Sequence, residues 1–251
     1  MRPRKNSGQI LLITAFIMAS LLLSAQLYIL EVGKNSGETG AESLGDFMQS
    51  VKLGSRHVIF GSLANASNGG PGDVLELNLR RWASFVGSQY LHGKSTLNYT
   101  VAETTTYSTG LWLDWGVSSY GVSSAFANFT HSLSGREADV EQPYFINATT
   151  SLVISSTNRR LNETSRQVNV TLNLLNEAEP ALADSITTHY RVSNNWLIPD
   201  ETNNYVLQNY GNGTYLASFT ATFPSSQVEV SAHVVDHRDI FVQANVTSTE
   251  A

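Results

Sequence analysis

Six histidines are scattered at positions 57, 92, 131, 189, 233 and 237, and only the last two stand close together. In His233-Val234-Val235-Asp236-His237-Arg238-Asp239 an i, i+4 histidine pair would ligate zinc if the segment were helical. The flanks argue otherwise. Val228/Val230/Ala232/Val234 and Ile240/Val242/Ala244/Val246 alternate with period two, which makes Asp236–Asp239 the turn of a hairpin and metal binding the weaker reading. Glu137, Asp139 and Glu141 recur at alternate positions before Pro143. Paired carboxylates can move protons, but these read as a solvated loop. Trp112-Leu113-Asp114-Trp115 is expected to place two indoles on one strand face, as core or as an aromatic platform for a carbohydrate or a partner. No Gly-x-Ser-x-Gly, His-Glu-x-x-His, P-loop, Gly-x-Gly-x-x-Gly or EF-hand pattern occurs. The sequence therefore points to no catalytic residue, no cofactor and no metal.

One modification chemistry is well represented. Eight Asn-x-Ser/Thr triplets occur, at Asn65, Asn98, Asn128, Asn147, Asn162, Asn169, Asn212 and Asn245, where the composition alone gives about four. Asn98, Asn147, Asn169 and Asn245 lie on the polar parity of alternating strands, Asn212 in a turn and Asn65 at a helix end. A glycan at any of these would project to solvent.

The composition agrees with an exported surface. Of 251 residues, 14% are charged and none is Cys, while Ser, Thr and Asn together number 72. Fifteen basic residues against 21 acidic ones, a net charge of −6, exclude a nucleic-acid binder, which needs an excess of positive charge for phosphates. The lack of Cys excludes a disulfide scaffold and a thiolate zinc site.

Between Lys5 and Glu31 lie 25 uncharged residues, mostly apolar, long enough as a helix to cross a hydrocarbon core of about 30 Å. Arg2, Arg4 and Lys5 precede this run, and Glu31, Glu38 and Glu42 follow it. That bias keeps the N-terminus cytoplasmic and places the rest of the chain outside the cell membrane, as a single-pass protein. A removed secretory signal peptide is the competing reading. Its apolar core is about 7–15 residues and ends in a small-x-small site. Here the run is longer, and Leu23-Ser24-Ala25 has Leu where a small residue is needed.

The layout Arg4-Lys5-Asn6-Ser7-Gly8-Gln9-Ile10-Leu11-Leu12 resembles the class III (type IV prepilin-like) signal of pilins and archaeal pilin-like proteins. The resemblance implies cleavage by a prepilin-type peptidase after Gly8, Gln9 as the new N-terminus, and a retained helix that packs with like subunits. Many bacterial pilins carry Glu at the fifth mature position. Ile13 stands there in this chain, as an apolar residue commonly does in archaeal relatives.

Beyond the span, three glycines in residues 33–40 mark a break. Leu44, Phe47, Met48 and Val51 open a helix that runs toward Leu63, across Gly54 and Gly61. After the loop 68–72, Asp73 and Glu76 read as a capping-box-like start for a second helix. Its inner face would be Leu75, Leu79, Trp82, Val86 and Tyr90. From about residue 95 the period becomes two, in Leu97/Tyr99/Val101, Val168/Val170/Leu172/Leu174 and Tyr215/Ala217/Phe219/Ala221/Phe223, besides the two runs near the C-terminus. Asn176–Leu182 and Gly211–Tyr215 resemble the corners of bacterial and archaeal immunoglobulin-like surface modules, which implies that the Tyr215 hydroxyl satisfies a backbone group.

The expected fold is α+β: a basic leader (1–8), a transmembrane helix (9–31), a helical segment of two helices (41–93), a β-rich region (95–147) and an antiparallel immunoglobulin-like sandwich (148–251). The expected function is structural. It is that of a membrane-anchored, extracellular pilin-like protein, a candidate minor subunit of a type IV-like filament, whose partners are the membrane, the peptidase and like subunits through the helix at 9–30. The alternative is a permanently anchored surface glycoprotein or adhesin that meets a partner through its sandwich.

Overall fold

A computed structural model of the chain describes residues 44–90, 93–116, 118–135, 139–223 and 227–250. The leader, the membrane helix, Gly8, Gln9 and residues 33–40 lie outside the described residues. Among the described residues no helix is long and apolar enough to cross a membrane. The chain divides into two compact units, Met1–Lys52 and Leu53–Ala251. In the first, residues 44–52 are helical.

The second unit is α+β: helices followed by a largely antiparallel β region. Helix α1 covers residues 53–67 and α2 covers Val74–Gln89. Gly54 and Gly61 do not interrupt α1, and the first of them has a packing reason to be glycine. A Cβ at Gly54 would lie 2.3 Å from the Trp82 ring. The Trp82 indole N–H donates to Ser55 Oγ at 2.9 Å, so this half-buried ring wedges α2 against α1. Leu75, Leu79 and Val86 are buried on α2, as their spacing predicts. The capping expectation needs correction. Asp73 holds the N-cap position without a side-chain cap bond. The helix is entered instead through a backbone turn, in which the Val74 N–H donates to Pro71 O at 3.2 Å. Glu76 pairs with Arg80 one turn on.

Thirteen strands follow: β1 (Gly93–Val101), β2 (Leu111–Asp114), β3 (Tyr120–Gly135), β4 (Asp139–Arg160), β5 (Ser165–Asn176), β6 (Glu179–Pro180), β7 (Ala183–Val192), β8 (Asn195–Leu197), β9 (Val206–Asn209), β10 (Thr214–Thr222), β11 (Glu229–Asp236), β12 (Phe241–Thr247) and β13 (Thr249–Glu250). They form a nine-stranded sheet built on the order β1-β3-β4-β5-β10-β9 and a four-stranded sheet in the order β12-β11-β7-β8. Only β13, beside β4, pairs in parallel.

The two sheets share one core. Val168, Val170, Leu172 and Leu174 of β5 and Ala217 and Phe219 of β10 face Val230, Ala232 and Val234 of β11 and Val242 and Ala244 of β12. Tyr215 is buried among them, and its hydroxyl accepts the Ala183 N–H at 2.7 Å, the backbone role expected of it. The long β3–β4 hairpin carries the same sheet out of the sandwich and beneath the helices. Leu152 and Ile154 of β4 belong to the sandwich core. Farther along the same face Tyr144 shares a hydrogen bond with Ser55 Oγ at 3.0 Å and stacks on Phe129. Strand β4 passes unbroken through residues 147 and 148, where the periodicity placed the join between two β regions.

Gly121 marks the seam where the second sheet leans on β3. A Cβ there would lie 1.9 Å from the Gln243 carbonyl oxygen, so no larger residue fits. Beside it, Ser123 Oγ donates to Phe241 O at 2.6 Å and the Ser119 N–H to Asn245 O at 2.9 Å. This close approach ties β12 to β3 and closes one side of the sandwich.

Candidate functional site

The helices and the smaller sheet both cover the same face of the large sheet, and the opposite face is left to solvent. Register decides what that open face carries. Residues with the parity of Asn98 on β1 and Asn128 on β3, and of Asn147 on β4 and Asn169 on β5, all lie on it, because Asn98 stands opposite Thr130, Phe126 opposite Asn147, and Thr157 opposite Asn169. Four candidate glycosylation sites from four strands therefore share one surface. Asn98, Asn128 and Asn147 are exposed and Asn169 is half-buried. Between them run Ser124, Thr149, Ser155, Thr171 and Ser218, which make the surface a carpet of hydroxyls and amides. Asn65, Asn162 and Asn212 are exposed elsewhere, and half-buried Asn245 lies on the outer side of the smaller sheet.

An aromatic ledge crosses this carpet. Phe145, 66% exposed, stacks on Phe126 with ring centres 6.1 Å apart. Tyr107, on the excursion between β1 and β2, packs edge-on against Phe126 and Trp112, and its hydroxyl shares a hydrogen bond with Ser124 Oγ at 2.8 Å. The expectation that Trp112 and Trp115 share a face is overturned. Trp112 stands opposite Ser124 on the open face. Trp115, past the end of β2, donates its indole N–H to Ser123 Oγ on the covered face and packs edge-on against Phe241. Three residues of extended chain invert the side on which a ring emerges, so one indole joins the ledge and the other plugs the β3–β12 seam.

The histidine cluster resolves into separate roles. Asp236 and Asp239 close the β11–β12 hairpin as expected, with the Asp239 N–H on Asp236 O at 3.0 Å. The Asp236 carboxylate is buried and engaged by Arg238, Thr150 and two backbone N–H groups, so it is no ligand for a metal. His237 is exposed, 3.8 Å from Asp184. His233 lies on the outer face of the smaller sheet, where sequence analysis did not anticipate its neighbour. The β7–β11 register sets His233 opposite Thr187 and His189 opposite Ser231, diagonal positions that bring the two rings to 4.3 Å between centres. Neither the separation of positions 189 and 233 in the chain nor the irregular pattern of β7 signals this contact. Of the other histidines, His131 is buried with Nε2 at 3.0 Å from Ser95 Oγ, and His57 lines an open groove of about 670 Å³ between α1 and α2, walled by Trp82 and Phe85. Asp139 and Glu141 are exposed at the far end of the hairpin, and Glu137 lies outside the described residues.

Burial lowers the pKa of His189. Burial first, and the neighbouring His189 second, push His233 down from 6.5 to about 4. The folded chain thus holds His233 neutral through an interval in which the unfolded chain binds a proton, and folding stability falls as pH drops from 6.5 to about 4. Discounted for partial exposure, the loss is about 1–2 kcal/mol. Urea midpoints measured at about pH 7 and about pH 4.5 should show it in the natural chain. The pH dependence should shrink in His233→Gln. An equal slope in the variant would assign it to other groups.

No protein-family model matches this chain, and no curated protein matches it significantly.

Proposed function

We propose that the chain is an exported, membrane-anchored structural protein of pilin-like plan, in which the apolar helix at 9–30 tethers and packs while an immunoglobulin-like sandwich faces the medium. The observation that carries this reading is the gathering of Asn98, Asn128, Asn147 and Asn169 on the one uncovered face of the large sheet. Asn-linked glycans are added outside the cytoplasm, and a broad β face without a covering layer is shielded from edge and face association by such chains. The Tyr215 hydroxyl on the Ala183 N–H supports the immunoglobulin-like assignment. The leader and the charge asymmetry around the apolar run support the topology.

A specific feature favours the second reading, an anchored surface glycoprotein or adhesin. The Tyr107/Trp112/Phe126/Phe145 ledge is the kind of aromatic surface on which a sugar ring or a partner side chain stacks. N-terminal sequencing of the membrane form separates the two. A chain that starts at Gln9 supports the pilin-like plan, and retention of Met1 supports the permanent anchor. Recovery from the medium without its apolar segment would overturn both. Intact mass should exceed that of the polypeptide and fall stepwise as the four Asn residues are changed to Gln. A mass equal to the bare polypeptide would remove the main support for export.

A further inference from the structure

We propose that His189 and His233 form a two-imidazole site for a divalent transition-metal ion of borderline softness, such as Zn²⁺ or Cu²⁺, on the outer face of the four-stranded sheet. The geometry is that of a chelate. Two imidazoles bound to one tetrahedral ion at about 2 Å per nitrogen hold their ring centres about 5 Å apart. Here the centres already lie 4.3 Å apart, with the ring planes inclined at 42°. The pairing is fixed by backbone register between β7 and β11, so the two side chains are brought together before any ion arrives.

The nitrogens are also uncommitted. Among the described residues neither histidine makes a hydrogen bond, and Nδ1 of His189 is buried with no partner at all. A buried imidazole nitrogen without a partner is unfavourable. In a protein such a nitrogen is commonly satisfied by water or by a metal. Metal binding requires the neutral ring, which burial here favours at neutral pH.

The surroundings suit a partly enclosed ion. Gln243 stands directly opposite His233 on β12. Its amide nitrogen is held by Ser231 and Asn245, while its oxygen has no hydrogen-bond partner among the described residues and is a candidate third ligand. Phe241 packs edge-on against His233 and is itself covered by Trp115, which shields one side from water. The nearest cation on the same face of β7, Arg191, is paired with Glu229 at 2.7 Å. The remaining coordination positions are left to solvent.

The test uses the full untagged chain in mild detergent, titrated with zinc chloride by calorimetry and with Cu²⁺ by electron paramagnetic resonance. The expected result is one saturable ion per chain, a copper spectrum with hyperfine splitting from two imidazole nitrogens, and a rise in Tm on zinc addition. Loss of saturable binding is expected in His189→Asn and in His233→Gln, with binding retained in His237→Gln. Histidine-selective NMR of the natural chain checks the same point without any substitution, since the ring signals of His189 and His233 should shift together on zinc addition. Absence of saturable uptake would overturn the proposal. So would uptake that survives the double His189/His233 variant or disappears in His237→Gln, which would place the ion at His237 and Asp184.

Discussion

Asp236→Ala should destabilise the folded chain by about 3–5 kcal/mol, the range for removing one partner from a buried charged network. The carboxylate is fully buried at the base of the β11–β12 turn. Oδ1 accepts the backbone N–H groups of Arg238 and Ile240 at 2.8 and 3.0 Å. Oδ2 accepts Thr150 Oγ1 at 2.8 Å and Arg238 Nε at 2.9 Å. Removing it leaves two N–H donors and a mostly buried guanidinium short of partners, each a desolvation penalty with no return. The node also joins layers. Arg238 reaches Glu177 and the Thr149 carbonyl, and it lies over the Phe60 ring of α1 at 5.0 Å, so β11–β12, β4 and α1 meet there. Urea unfolding should show a lower midpoint with an unchanged slope. Asp236→Asn keeps an acceptor and should lose less. A loss below about 1 kcal/mol in the alanine variant would mean that the network is incidental.

Phe219→Ala is the second large effect, again about 3–5 kcal/mol. The ring is 1% exposed on β10, 5.1 Å from the Tyr190 ring across the sandwich. Its removal forfeits the transfer free energy of the side chain and leaves a cavity between two hydrogen-bonded sheets that cannot collapse freely. Phe219→Leu should recover most of the loss. Because β4 carries both the sandwich core and the face beneath the helices, the helical far-UV signal and the β signal should be lost in one transition with a lower midpoint. A helical transition that stays put while the β transition shifts would show that the two parts fold independently.

The strands with one strongly apolar parity were legible in the sequence: β1, β5, β10, β11 and β12 all bury the residues that alternation selected. Tyr215 was legible too, as an inward ring tied to a backbone N–H. The β3–β4 hairpin was harder to see. Its covered face is made of Ser123, Ala125, Ala127, Ala148 and Thr150, small residues that let helices and a second sheet approach, and so the hydropathy contrast between parities nearly vanishes. The Asp73 cap failed for a different reason, since Pro71 and Gly72 supply a backbone turn that makes the side-chain bond unnecessary.

Composition and short-range spacing alone determined the apolar run after the basic leader, the poverty of charge, the eight Asn-x-Ser/Thr triplets and the period-two strands. These are properties of neighbouring residues, and elementary sterics and solvation read them directly. Only the tertiary structure decided that four of those triplets share one open face, that Trp112 and Trp115 emerge on opposite sides, and that His189 touches His233. Each depends on the register between strands distant in the chain. A shift of one residue in that register would move every side chain concerned to the other face.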